Sequence, residues 1–204
     1  MTTDTQAAHD DLAFLRGVAE GDRTQTLFGA LYFWAGLIYG LQLLFHWGQA
    51  IGVLRVSEGV TIAAAAGPTA TFLVILGVLI WRNRRKGVGG LAGRAVASVF
   101  NAVGITNLAL VAIIGSLAWR EGSWDIWMIY PAVVFALQGA AWLAAFTLRR
   151  RAWLALVAAG WFGAAIAMGL LIGSPSYLLV AALGALLFMA VPGAVMMRLA
   201  RTER

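Results

Sequence analysis

The stretch TLFGALYFWAGLIYGLQLLFHWG, residues 26–48, decides the fold. It contains no Asp, Glu, Lys or Arg. About 20 mainly apolar residues suffice for a helix to cross the ~30 Å hydrocarbon core of a bilayer, so the segment reads as a transmembrane span. Its apolar residues are continuous rather than alternating, which excludes a β-barrel strand. Five further stretches of the same kind follow, at 59–81, 95–118, 126–147, 152–173 and 176–197, all free of charged side chains. The second is interrupted by Pro68, which predicts a kink there. The expected fold is therefore all-α: a polytopic membrane protein with a six-transmembrane-helix bundle arranged as three hairpins.

The composition agrees with this reading. Of 204 residues, 61% are hydrophobic and 12% charged, and the mean hydropathy is +0.83. Soluble domains carry about twice that share of charge, and disordered chains are far less apolar. With no cysteine in the chain, disulfides, thiol catalysis, iron–sulfur clusters and cysteine-ligated zinc are excluded.

The basic residues set the expected orientation. Thirteen of the fifteen Lys and Arg fall in the N-terminus, the second and fourth loops and the C-terminus; only Arg55 and Arg120 fall on the other side. Positive charge is retained in the cytoplasm. The expectation is a multi-pass protein of the bacterial inner membrane, with both termini cytoplasmic. The basic clusters are short and sit at helix ends, so they suit anionic lipid headgroups rather than nucleic acid. Membrane lipids are the expected partners, and no nucleic acid is.

The chain divides into an N-terminal arm (1–25), the membrane domain (26–198) and a basic tail (199–204). The arm, MTTDTQAAHDDLAFLRGVAEGDRTQ, holds Asp4, Asp10, Asp11, Glu20 and Asp22. It is not a cleavable signal peptide, because no basic segment precedes an early apolar core. Asp10 or Asp11 can cap a short amphipathic helix in which Leu12, Leu15, Val18 and Ala19 share a face, with Gly21 ending it. Such a helix either lies on the membrane surface or docks a protein partner.

Small-residue spacing marks two close-packing candidates, Gly36/Gly40 and Gly169/Gly173. GxxxG allows two helix backbones to approach, within the chain or across a homo-oligomer seam. Residues 172–176, Ile-Gly-Ser-Pro-Ser, read as the tight turn of the last hairpin.

Intramembrane polar groups are costly without partners and so mark candidate sites. In the first span Tyr32, Tyr39, Gln42, His46 and Gln49 fall on one stripe about 100° wide. Counting from span centres puts Tyr39, Asn107 of the third span and Gln138 of the fourth at one level. The candidate site is thus Tyr39, Gln42, His46, Asn107 and Gln138. Two readings stay open: the stripe faces the bundle and is satisfied across helices, or it lines a water-filled cavity with His46 at its mouth. A histidine there could sense acid pH.

What is missing is also informative. No carboxylate lies within a span, which disfavours proton- or sodium-coupled pumping. The two histidines, His9 and His46, lie on opposite sides, which excludes a bis-histidine haem within one chain and leaves no zinc-hydrolase set. No metal, cofactor or catalytic residue is expected, and the chain does not read as an enzyme. The sequence points to an accessory or sensory component docking partners on the cytoplasmic side. The alternative is a small-molecule transporter or channel lined by the polar residues of spans 1, 3 and 4.

Two segments carry a resemblance. Asp11-Leu12-Ala13-Phe14-Leu15-Arg16, followed by Ala19-Glu20-Gly21, is one; Tyr39 to Gln49, YGLQLLFHWGQ, is the other. With Gly173-Ser174-Pro175 and Val191-Pro192-Gly193, they resemble a group of small, uncharacterised bacterial inner-membrane proteins of about this length. That resemblance implies six spans and transfers no functional residue. The three-hairpin layout is also similar to the acid-resistance family of six-span proteins, in architecture only.

Overall fold

A computed structural model describes residues 3–83 and 91–202, with side chains over 27–82 and 95–200. The described residues form helices and their connections, with no strand among them. The helices are α1 (Thr3–Ala50), α2 (Glu58–Asn83), α3 (Leu91–Glu121), α4 (Trp124–Arg149), α5 (Ala152–Leu170), α6 (Ser176–Ala185) and α7 (Val191–Thr202). A π-helical turn, Leu186–Ala190, joins α6 to α7. Six segments are long and apolar enough to cross a membrane: Leu27–Ala50, Glu58–Arg82, Ala95–Glu121, Trp124–Arg149, Ala152–Leu170 and Ser176–Ala200. These are the six expected spans, with ends moved by a few residues.

One expectation is corrected. Gly21 does not end a short separate helix; α1 runs unbroken from Thr3 to Ala50. An interior glycine costs a helix only about 1 kcal/mol relative to alanine. Extending a helix that already exists avoids the unfavourable nucleation step, so the membrane span serves as the nucleus for the arm. As expected of a single span, α2 runs through Pro68 as one helix.

The connections are short and their chemistry is local. Between α3 and α4, Gly122 takes φ 59° and the Ser123 hydroxyl caps α4 by accepting from the Ile126 N–H. Between α4 and α5, Arg150 adopts φ 54°, and its N–H donates to Phe146 O at 2.7 Å. This left-handed position is costly for a residue with a Cβ, and it reverses the chain within two residues. The turn expected around 172–176 is present, with Gly173 at φ 83°.

The helices are not packed equally. α1 lies antiparallel against α6 and α7, and here the backbones touch. A Cβ on Gly36 would sit 2.3 Å from Ala190 N, and one on Gly193 would sit 2.4 Å from Phe33 N. Only glycine permits that approach. The π turn lies opposite Gly36, and Pro192 just beyond it cannot donate a hydrogen bond back into the turn. The Gly36/Gly40 face is therefore occupied within the chain, since a Cβ on Gly40 would meet Leu186 at 2.6 Å. Gly169 and Gly173 make no such contact.

The core lies between α4, α5, α6 and α1. Trp142, Trp161, Met168, Ala181 and Ala182 are fully buried there. By contrast, no described side chain of α2 or α3 is buried. α2 packs mainly on α1, and α3 mainly on α4. Their outward surface is a run of large apolar side chains, including Ile62, Leu73, Val74, Ile105, Leu108 and Ile113. In water such a surface would aggregate; against lipid tails it is the expected solvent-facing surface.

Candidate functional site

The polar stripe of α1 is read by two different neighbours. Toward the end of the bundle that carries both chain termini, Tyr32 faces α4. Its hydroxyl donates to Gln138 Oε1 and accepts from Trp142 Nε1 at 3.0 Å. Gln138 and Trp142 are one helical turn apart, so they present to the same face. Phe28, Tyr32, Phe100 and Trp142 surround this node with ring centroids 4.6–5.8 Å apart. Trp153 of α5 extends the cluster at 5.7 Å from Trp142. Contacts of this geometry add about 0.5–1.5 kcal/mol per pair beyond area burial.

Further along α1, the stripe turns toward α2. Gln42 Nε2 donates to Ala65 O at 3.0 Å, in the turn preceding Pro68. Pro68 leaves the carbonyl four residues back, that of Ala64, without its helical donor, and Gln42 bonds to the adjoining carbonyl of Ala65. Gln49 Nε2 donates to Thr61 Oγ1 at 2.8 Å, and its Oε1 lies 2.9 Å from His46 Nδ1. The ring of Tyr39 packs against Phe72 at 5.7 Å. On the other flank, Tyr130 of α4 donates to Asn107 of α3 at 2.9 Å.

The five candidate residues are therefore not joined to one another directly, although Tyr130, which bonds to Asn107, also lies near Tyr39. Gln138 pairs with Tyr32, which is two turns of α1, or about 10 Å, from Tyr39. Asn107 pairs with Tyr130, eight residues and about 12 Å along α4 from Gln138. No hydrogen bond joins any two of the five among the described residues. Counting depth from span centres assumed equal offsets in every helix, and the packing does not respect that. Tyr32 and Trp142 are the residues that sequence reasoning undervalued. Trp142, four residues after Gln138 and on its face, was the available signal.

Chemically, these groups are hydrogen-bonding partners rather than reactive ones. Among the described residues no group of three or more His, Asp or Glu converges in a way that could hold a metal ion. Cavities among the described residues include three. One, of about 50 Å³, lies among the aromatic rings at the termini-bearing end. A second, of about 560 Å³, lies between Trp119, Trp124 and Trp127 at the opposite end. The third, of about 270 Å³, lies beside Ala50, Asp125 and Pro175. None is lined by any of the five candidate residues.

Comparison with known proteins adds no relative: no family model, no curated protein and no solved structure matches the chain. The likeness to small bacterial inner-membrane proteins rests on the quoted sequence segments alone.

Proposed function

We propose that the chain is a non-enzymatic accessory or sensory component of the bacterial inner membrane, with both termini cytoplasmic, which docks a protein partner through its N-terminal arm. The observation that carries this reading is the length of α1. Its 48 residues make a helix of about 72 Å, roughly twice what a bilayer core requires. The membrane-spanning part is Leu27–Ala50, which leaves a helical extension of about 36 Å beyond it. That extension carries five of the nine acidic residues and an apolar face at Leu12, Leu15, Val18 and Ala19. The 13-to-2 distribution of basic residues supports a cytoplasmic location for it.

Photo-crosslinkers at Leu12 and Leu15, in membranes of the source cell, test the docking. The expected result is one discrete protein adduct, competed away by a synthetic peptide of residues 1–25 and absent from Gly17 on the opposite face. Adducts to lipid alone at Leu12 and Leu15 would make the arm a surface helix and end the docking reading.

The competing reading, a transporter lined by Tyr39, Gln42, His46, Asn107 and Gln138, draws less support. Gln42, Asn107 and Gln138 are hydrogen-bonded to a neighbouring helix, Tyr39 packs on Phe72 of α2, His46 pairs with Gln49 of its own helix, and the cavities described above lie elsewhere. Because the chain has no cysteine, single cysteines at 39, 107 and 138 can be probed directly. Modification of all three by a membrane-impermeant thiol reagent would favour transport.

A further inference from the structure

The aromatic cavity at the termini-bearing end has one feature that the hydrogen-bonding node beside it does not explain. Its walls include Phe28, Phe100, Trp142 and Trp153, and its rim carries Arg149 and Arg151. Arg149 is half-buried. Neither guanidinium has a hydrogen-bond or ion-pair partner among the described residues. The two like charges are close enough to repel. Helix α5 also begins here: Arg151 is its N-cap, and no side-chain hydrogen bond caps it. The positive end of a 19-residue helix therefore faces the same place; the Leu154 N–H is used by Arg151 O, and the N–H groups of Ala152 and Trp153 are left for an acceptor.

Two guanidiniums and a helix N-terminus, with no counter-charge among the described residues and set around an apolar cavity, are an incomplete arrangement. A half-buried guanidinium without a partner is unfavourable, and a phosphate oxygen pair is the geometry it matches best. The cavity has room for about three or four waters, and about 50 Å³ cannot hold a whole lipid. It fits the neck of an amphiphile whose chains continue outside, along the uncovered surface of α3.

We propose that this cavity binds one anionic phospholipid, its phosphate on Arg149, Arg151 and the first turn of α5 and its glycerol neck among the aromatic rings. The site is separate from the docking arm and does not depend on it. The lipid comes from the leaflet on the arginine-rich side.

Native mass spectrometry of the full-length protein in detergent tests this with phosphatidylglycerol, phosphatidylcholine and inorganic phosphate as probes. The expected result is a single retained phosphatidylglycerol that neither of the other probes displaces. Arg149→Gln with Arg151→Gln should weaken retention roughly tenfold or more. Arg150→Gln removes the same kind of charge from a residue outside the cavity lining and should leave retention unchanged. Ala97→Phe fills the cavity while keeping both arginines, and should abolish retention with helicity intact; it carries the test should the arginine pair prove necessary for folding. Equal retention of phosphatidylcholine, or an Arg150→Gln loss as large as that of the pair, overturns the proposal. Displacement by inorganic phosphate overturns the lipid assignment in favour of a soluble anion.

Discussion

The two halves of the bundle use glycine differently. In the half built from α1, α4, α5, α6 and α7, six glycines lie where helices touch: Gly29 and Gly36 on α1, Gly139 on α4, Gly160 on α5, Gly184 on α6 and Gly193 on α7 all have atoms of another helix within about 3 Å of a would-be Cβ, while Gly163 and Gly169 of α5 face outward. In the other half, Gly59, Gly67 and Gly77 of α2 and Gly104 of α3 face open space. Lipid tails are as apolar as leucine, so burial as such does little to bring membrane helices together; close approach and hydrogen bonds do it instead. The first half is held by close approach, backbone to backbone between α1 and α7, together with the Tyr32 node between α1 and α4. The second is held by a few polar ties, namely Gln42 to Ala65, Gln49 to Thr61 and Tyr130 to Asn107.

That contrast can be broken most directly by the same substitution in both halves. Gly36→Ala should destabilise by about 3 kcal/mol, the upper end for overpacking, because the neighbouring atoms are backbone and cannot move aside. Thermal unfolding in detergent, followed by far-ultraviolet circular dichroism, measures it. Tyr32→Phe comes next. It strands the Trp142 N–H and removes the donor to Gln138, for an expected loss of about 1–2 kcal/mol. Gly67→Ala, Gly77→Ala and Gly104→Ala should each raise stability by about 0.5–1 kcal/mol; a loss at all three would mean that a partner helix covers the second half. The smallest effect is expected for Thr61→Val, about 0.5 kcal/mol. It should show less in global unfolding than in faster hydrogen exchange confined to α2, and uniform acceleration across α4 and α5 would contradict the division into halves.

How far the sequence disclosed this arrangement follows from the physics of each feature. Span position depends on apolar length, which is written along one dimension, so residues 26–48 and 126–147 lie within a few residues of Leu27–Ala50 and Trp124–Arg149. The α1 stripe was legible for a similar reason, since helical rotation follows from residue spacing. Which neighbour reads it depends on how far each helix slides along its axis, and spacing does not encode that. Hence Gln138 was expected level with Tyr39 but bonds to Tyr32. The π turn at Leu186–Ala190 is equally hidden, because the apolar residues around it carry no periodic mark. The Arg149–Arg151 run was legible as an orientation signal and as a basic cluster suited to anionic headgroups; that two of the three line a cavity depends on the left-handed turn at Arg150.

The unbroken course of α1 has a mechanical consequence. A span and its extension that share one hydrogen-bonded ladder cannot reorient independently without breaking backbone bonds. For a straight rod, a 10° change of tilt at Leu27 moves the far end by about 6 Å over an arm of about 36 Å. Bilayer thickness and neighbouring helices both set the tilt of a span. In this molecule the lever is gripped at Gly29 and Gly36 by backbone contact, just inside the point where it leaves the membrane segment. A change of tilt imposed on the span would therefore be enlarged at the end that carries Asp4, Asp10 and Asp11.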